Sequence, residues 1–184
     1  DYGFKSKGIL SARFGLNTDN YKNTLSRQKY HHQIIQLLSQ EPGIDKVTTA
    51  SALPGRSSGR QSIQIEDMDN QNKQYPRSYF MTISNNYFDF LDVPLLAGRS
   101  FNDTDTYDSL PVVIVSAGFA QKFWPNSSAI GKRIKTEPNN PDSKWLTIVG
   151  VNKHLVHSQP FGDEQFRTAI YVPNNQLAYQ YQYV

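Results

Sequence analysis

Leu10, Ala12, Phe14 and Leu16 alternate with Ser11, Arg13 and Gly15, a period of two that predicts a half-buried strand. The polar cluster Asn17 to Asn20 offers helix N-caps. From Tyr21 to Gln40 the spacing becomes helical: Leu25, Ile34, Ile35 and Leu38 fall on one stripe, with His31 beside it as a packed or rim residue. Pro42-Gly43 stops that helix, and the Thr- and Val-rich Ile44 to Leu53 reads as a second strand. The opening is therefore expected to be a β-α-β unit.

Shorter alternations follow. Ile63 and Ile65 with polar neighbours, and then Tyr79, Met81 and Ile83, predict two strands around a polar turn, Asp67 to Gln74. Asn85-Asn86 precedes one helical turn at Tyr87 to Leu91. Val112 to Val115 is apolar without alternation, as a strand covered on both faces would be. Ser116 caps a short helix that ends at Pro125. Ile130 to Ile134, Trp145 to Val151 and Thr168 to Val172 complete the expected strands. Leu177 to Val184 alternates Tyr and Gln and shows no obvious core partner. The strand-rich middle differs from the opening, which predicts two subdomains with the second inserted in the first.

Composition narrows the class. Hydrophobic residues make up 38% and charged residues 19%, both low, but 12% aromatics argue against disorder. The net charge of +3 is mild and the cations are scattered, so nucleic acid is set aside as a partner. The absence of Cys excludes disulfides, thiolate metal sites and a cysteine nucleophile. The longest clean apolar run, Val112 to Val115, is far short of the roughly 18 residues of a membrane span. A start at Asp1, with no signal-peptide core, leads to the expectation of a segment from a longer protein.

Candidate chemistry is thin. The loop Pro54 to Arg60 has two glycines and two cations, but lacks the Lys-Ser/Thr at a helix start that a phosphate loop needs. Asp103, Asp105 and Asp108 are spaced like calcium ligands, yet the sixth and twelfth positions hold Asp108 and Ile114 where Gly and Glu are required. A turn is expected there, with Asp105 capping backbone N–H groups. His154 and His157 form H-x-x-H on chain that reads as extended, where residues three apart face opposite ways. Ser116 lacks the preceding glycine of a nucleophile elbow. Catalytic, cofactor and metal residues are therefore expected to be none. Gly98 is assigned a backbone shape that Cβ would disfavour, Gly131 a turn, and Phe123 and Trp124 the burial of their helix.

An ordered set of motifs resembles the extracytoplasmic core domain of MacB-type ABC-transporter permeases, a group with FtsX-like and LolC/LolE-like members. The residues are Asn86-Tyr87-Phe88-Asp89, Pro94 to Phe101 with Gly98, Arg99 and Phe101, then Asp105 and Val112 to Ser116. Ala120 to Pro125 with Phe123, Trp124 and Pro125, Ile130 to Ile134 with Gly131 and Ile134, and Ile148 to Val151 with Gly150 follow. Leu37 to Val47, Ala52 to Pro54 and Tyr171 to Pro173 extend the similarity from about Leu10 to Pro173.

The resemblance implies an α+β fold: a porter-like β-α-β subdomain at 1–84 and 165–184, and an inserted β-rich, Sabre-like subdomain at 85–164. It implies a noncatalytic domain that couples cytoplasmic ATP hydrolysis to movement outside a bacterial inner membrane. ATP and Mg would sit on a separate nucleotide-binding domain or subunit, with no cofactor in this domain. Implied partners are the flanking transmembrane helices, the ABC ATPase, a second permease copy and a periplasmic protein. A periplasmic or secreted ligand-binding module, suggested by the Tyr-rich surface, and a hydrolase using Ser116 or the His154/His157 pair are the alternatives.

Overall fold

The computed structural model describes residues 4, 6–16, 19–55, 59–68, 74–153, 155–157, 168–179 and 181–184. Along these the elements are β1 (Arg13–Gly15), a 3-10 turn (Asp19–Tyr21), α1 (Thr24–Leu38), β2 (Arg60–Ile65), β3 (Arg77–Ile83), α2 (Tyr87–Phe90), β4 (Leu95–Gly98), β5 (Val112–Ser116), α3 (Ala117–Phe123), β6 (Arg133–Thr136), β7 (Trp145–Asn152), β8 (Ala169–Pro173) and β9 (Tyr181–Tyr183).

Seven strands form one sheet in the order β4-β7-β5-β8-β3-β2-β6. It closes on itself, because β6 bonds to β2 along one edge and to the first half of β7 along the other. The second half of β7 is left to β4. Strands β5, β6 and β7 come from the expected insert, and β2, β3 and β8 from the ranges around it. β8 pairs in parallel with β3 and antiparallel with β5, so hydrogen bonding runs across the expected division. The 164/165 boundary lies outside the described residues.

Strand alternation sorts the core. Ile63, Ile65, Phe80, Val113, Val115, Ile134, Leu146, Ile148, Ile170 and Val172 point to the face shared by all six ring strands, where Phe119 of α3 joins them. Tyr79, Met81, Ile83, Val112, Ile114, Ala169 and Tyr171 point the other way, beneath Tyr87, Phe88, Leu91 and Phe101. β5 is buried along its whole length because both faces are covered. β7 would lose its phase halfway, but the register shifts between Val113 and Ile114, with Ile148 and Gly150 as their partners. The extra residue, Val149, is a bulge. It returns Val151 to the face of Ile148 although the two are three apart in sequence.

Ser116 ends β5 and caps α3. Its hydroxyl accepts from the Phe119 N–H at 3.3 Å and from the Ala169 N–H at 3.0 Å, and its side chain is fully buried. That placement removes Ser116 as a nucleophile.

The opening differs from expectation. α1 is capped by Asn23, whose side chain accepts from the Ser26 N–H at 2.8 Å, not by the Asn17–Asn20 cluster, of which 17 and 18 lie outside the described residues. The stripe is less buried than expected: Leu25 is 51% exposed, Ile34, Ile35 and Leu38 are half-buried, and His31 is the buried residue of α1. Ile44 to Leu53 forms no strand and supplies one bridging residue, Ala50, which pairs with both Ile83 and Tyr183. β1 instead pairs with β9, from the tail that showed no core partner in the sequence. Leu95–Gly98, to which the sequence assigned no element, is a strand because β7 offers a free edge after β6 ends.

Candidate functional site: a ribbon joint and a glycine–arginine clamp

β1 and β9 make an antiparallel ribbon with Arg13 opposite Tyr183, Phe14 opposite Gln182 and Gly15 opposite Tyr181. The ladder continues outward, since Ala12 and Val184 exchange both backbone bonds at 2.8 and 2.9 Å. Chain entering through β1 and leaving through β9 therefore runs side by side. The Arg13 guanidinium lies 5.0 Å from the Tyr181 ring centre and 6.0 Å from that of Tyr183.

The ribbon joins the ring at a small polar joint. Ala50 and Tyr183 exchange backbone bonds at 3.0 and 2.8 Å. Gln182, fully buried, donates from Nε2 to Thr82 Oγ1 at 3.0 Å and to Asn174 Oδ1 at 3.1 Å. Asn174 Nδ2 donates to Thr49 Oγ1 at 2.9 Å, and Thr49 Oγ1 lies 2.7 Å from Ser84 Oγ. Uncharged hydrogen bonds thus hold the segments meeting here, beside the core residues Ala50 and Ile83. Neither Gln182 nor its partners were singled out from sequence. The Tyr-Gln alternation of the tail was the available signal: its period of two is that of a strand.

A second constellation fixes the far end of the sheet. Gly98 of β4 faces Gly150 of β7, and the Arg99 N–H donates to the Val149 carbonyl at 2.9 Å. A Cβ on Gly98 would overlap that carbonyl oxygen, and one on Gly150 would lie 2.5 Å from the Arg99 oxygen. Gly98 also has φ +73°. Arg99 then turns to Asp105, donating from Nη1 and Nη2 to the two carboxylate oxygens at 2.8 Å each. Asp105 Oδ2 also accepts from the Asn102 N–H at 3.0 Å, the backbone cap expected of it. Burial works to raise the Asp105 pKa. The hydrogen bonds from Arg99 and Asn102, with the Arg99 charge, outweigh it and hold the carboxyl below its usual value. The carboxylate is 5% exposed and Arg99 44%, so the pair anchors the loop after β4. Asp105→Asn is expected to cost about 2 kcal/mol, because one acceptor oxygen becomes a donor beside a retained guanidinium. Urea denaturation at pH 7 measures it, and an unchanged midpoint would contradict the clamp.

The remaining singled-out residues are packing positions. Tyr87, Phe88 and Phe101 are in the core beneath α2, with Phe88 edge-on to Tyr171 at 4.9 Å. Phe119 is the fully buried ring of α3, and Phe123 and Trp124 are half-buried against it, at 4.7 and 6.1 Å. Phe119 thus carries most of the burial assigned from sequence to Phe123 and Trp124. Pro125 is exposed beyond the helix. Gly131, at φ +82°, turns the chain towards β6, where Ile134 is fully buried.

Among the described residues His31 and His157 are packing positions. His157 is buried with Nε2 2.5 Å from the Tyr171 hydroxyl, while His154 lies outside the described residues. Among the described residues no group of three or more His, Asp or Glu could hold a metal. His31 is 3% exposed, packs edge-on to Phe14 at 5.6 Å, and neither ring nitrogen has a hydrogen-bond partner among the described residues. Burial, with the nearby Arg27 charge, lowers its pKa to about 4. An open concavity lies where Arg60 and Arg77 each donate to the other's carbonyl oxygen, at 3.1 and 2.9 Å. Glu137 lies on the same wall.

No helix among the described residues is long and apolar enough to cross a membrane. A search of the curated proteins finds no match. The extracellular domain of the noncanonic ABC-type transporter YknZ from Gram-positive bacteria superposes with a TM-score of 0.58 at 18% identity, over 94% of this chain and 80% of that one. The periplasmic region of MacB from Actinobacillus actinomycetemcomitans gives 0.56 at 16%, over 95% and 72%. A domain of a putative permease protein from Porphyromonas gingivalis gives 0.52 at 19%, over 82% of this chain and 64% of that one. At such identities these likenesses speak for the fold. The sequence profile of the MacB-like periplasmic core domain matches residues 8–184, nearly the whole chain, and the chain belongs to that family.

Proposed function

We propose that this periplasmic domain of an ABC-type permease acts as a lever, moved by flanking transmembrane helices as an ATPase on the other side of the membrane turns over. The observation that carries the reading is the β1–β9 ribbon. Its two strands run together, so two neighbouring helices could act on them jointly, and they reach the ring through Ala50 and Gln182. The closed ring suits the role, since a sheet whose strands are bonded on both edges resists shear. A second permease copy would supply the surface against which the lever works, and a periplasmic protein or substrate would be the load. ATP and Mg belong to the ATPase in this reading, and the domain performs no chemistry.

Loosening the joint tests it. Gln182→Ala removes both donors to Thr82 and Asn174 while leaving the ribbon backbone paired. In the permease–ATPase complex in lipid nanodiscs, this variant is expected to hydrolyse ATP within about twofold of the parent, less than 0.5 kcal/mol in barrier terms. The nucleotide-dependent distance between spin labels on the two copies of the domain is expected to shrink or blur. An unaltered distance change in a folded variant would sink the joint as the point of transmission.

A further inference from the structure

The sequence of the tail reads Tyr179-Gln180-Tyr181-Gln182-Tyr183, a repeat of two residues, and its last three form β9, a strand whose side chains also repeat every two. In the register seen, Gln182 fills the buried position, and Tyr181 and Tyr183 flank Arg13 on the other face. A slip of one residue would exchange Tyr for Gln at every position. A slip of two restores the pattern, with Gln180 at the buried position and Tyr179 and Tyr181 beside Arg13. Register is weakly specified where the sequence is degenerate in this way. The slip has one favoured direction: drawing β9 outward brings up another Tyr-Gln pair, whereas pushing it inward would bring Val184 to the position of Gln182.

The joint permits it better than an apolar core would. What Gln182 gives up are hydrogen bonds to Thr82 and Asn174, which a second Gln can make in the same place. The cost falls on the residues before β9: Tyr179, whose hydroxyl accepts from Gln61 Nε2 at 3.0 Å and whose ring packs on Phe80 at 5.8 Å, and buried Ala178, whose carbonyl accepts from Arg27 Nη1 at 3.3 Å. These contacts hold the observed register at rest.

We propose that β9 has a second register against β1, displaced by two residues, that an outward pull on the chain beyond Val184 selects. This rests on the lever reading above and gives the ribbon a discrete stroke, about 6.6 Å for two strand residues.

Disulfides in this Cys-free sequence separate the two states. Arg13→Cys with Tyr183→Cys joins residues opposite each other in the observed register, and Arg13→Cys with Tyr181→Cys joins residues opposite only after the slip. Opposite residues are within disulfide reach, and those two apart exceed the roughly 7 Å limit between Cα atoms. Both pairs are placed in the full permease with its ATPase and oxidised briefly. The 13–183 pair is expected to cross-link at rest, and the 13–181 pair to cross-link several-fold more during ATP turnover than without nucleotide. Adding Gln180→Glu, which would bury a carboxylate in the slipped state, is expected to abolish the 13–181 product and spare the 13–183 one. A 13–181 pair that never exceeds its resting yield, or that ignores Gln180→Glu, overturns the second register. Distances between the two copies would still change with nucleotide in that case, so the lever and the slip fail separately.

Discussion

Gly98→Ala is expected to destabilise the domain by about 3–5 kcal/mol, close to the whole stability of a marginal fold. Two costs add. The φ of +73° disfavours any Cβ by about 1–2 kcal/mol. The new methyl would also overlap the Val149 carbonyl oxygen and approach Ile130 Cδ1 at 2.8 Å. That carbonyl cannot retreat without breaking its bond from the Arg99 N–H and disturbing the bulge that rephases β7. Gly43 separates the terms: its φ is +88°, but a Cβ there meets nothing within 4 Å, so Gly43→Ala should cost only about 1 kcal/mol. Thermal unfolding of the two variants gives the comparison. At roughly 2–4 °C per kcal/mol for a chain of this size, Gly98→Ala should melt about 10 °C lower and Gly43→Ala a few degrees lower. Equal losses would show that the close approach of β4 and β7 is not what Gly98 serves.

The second large effect is a loss of stability in mild acid, set by His31. Its pKa falls from 6.5 to about 4 on folding, so the folded state prefers the neutral ring. The unfolded chain then binds the proton first as pH drops. The contribution of the neutral ring is complete above pH 6.5, declines as pH falls from 6.5 to about 4, and is constant below. The full span is on the order of 3 kcal/mol, of which about 2.5 kcal/mol is lost by pH 4.5. Asp105 has the same sign in a lower window, because its carboxyl is held below the ordinary carboxylate value. The expected structural consequence is release of α1, since His31 is that helix's buried residue. Urea midpoints at pH 7 and 4.5 for the parent and for His31→Phe provide the check. The parent should lose far more than the variant. Parallel losses would assign the acid sensitivity elsewhere.

Local patterns carried much of this fold, and long-range pairing carried the rest. Val112 to Val115 announces a doubly covered strand because each of its residues is apolar and β-branched, and β5 is buried throughout. Ser116 and Asp105 are legible as backbone acceptors because short polar side chains at element boundaries have few other uses. Gly98 is legible as a special conformation, although only the structure supplies Val149 as the reason for it. The misreadings have one source. Ile44 to Leu53 has strand composition but pairs only around Ala50, where Thr49 and Ser51 bond to Ser84 and Thr82 on one side and Ala50 bonds to Tyr183, from the far end of the chain, on the other. β4 shows no alternation, since a strand filling half of one edge of β7 has most of its side chains in solvent. The helical stripe of α1 overstates its burial because periodicity reports an apolar face without reporting what covers it. The joint of Thr49, Ser84, Asn174 and Gln182 is assembled from four separated stretches, and ordinary polar residues carry no spacing that would reveal it.

The claim that this domain moves as one body is tested most directly by two spin-label distances in the same permease–ATPase complex. One joins exposed Leu96 at β4 to exposed Leu25 on α1 within a single domain, and the other joins Leu96 between the two copies. With nucleotide added and then trapped, the distance between copies should shift by several ångströms while the internal one stays within the width of its resting distribution. A fixed distance between copies, or an internal distance that changes as much as the other, would contradict the lever.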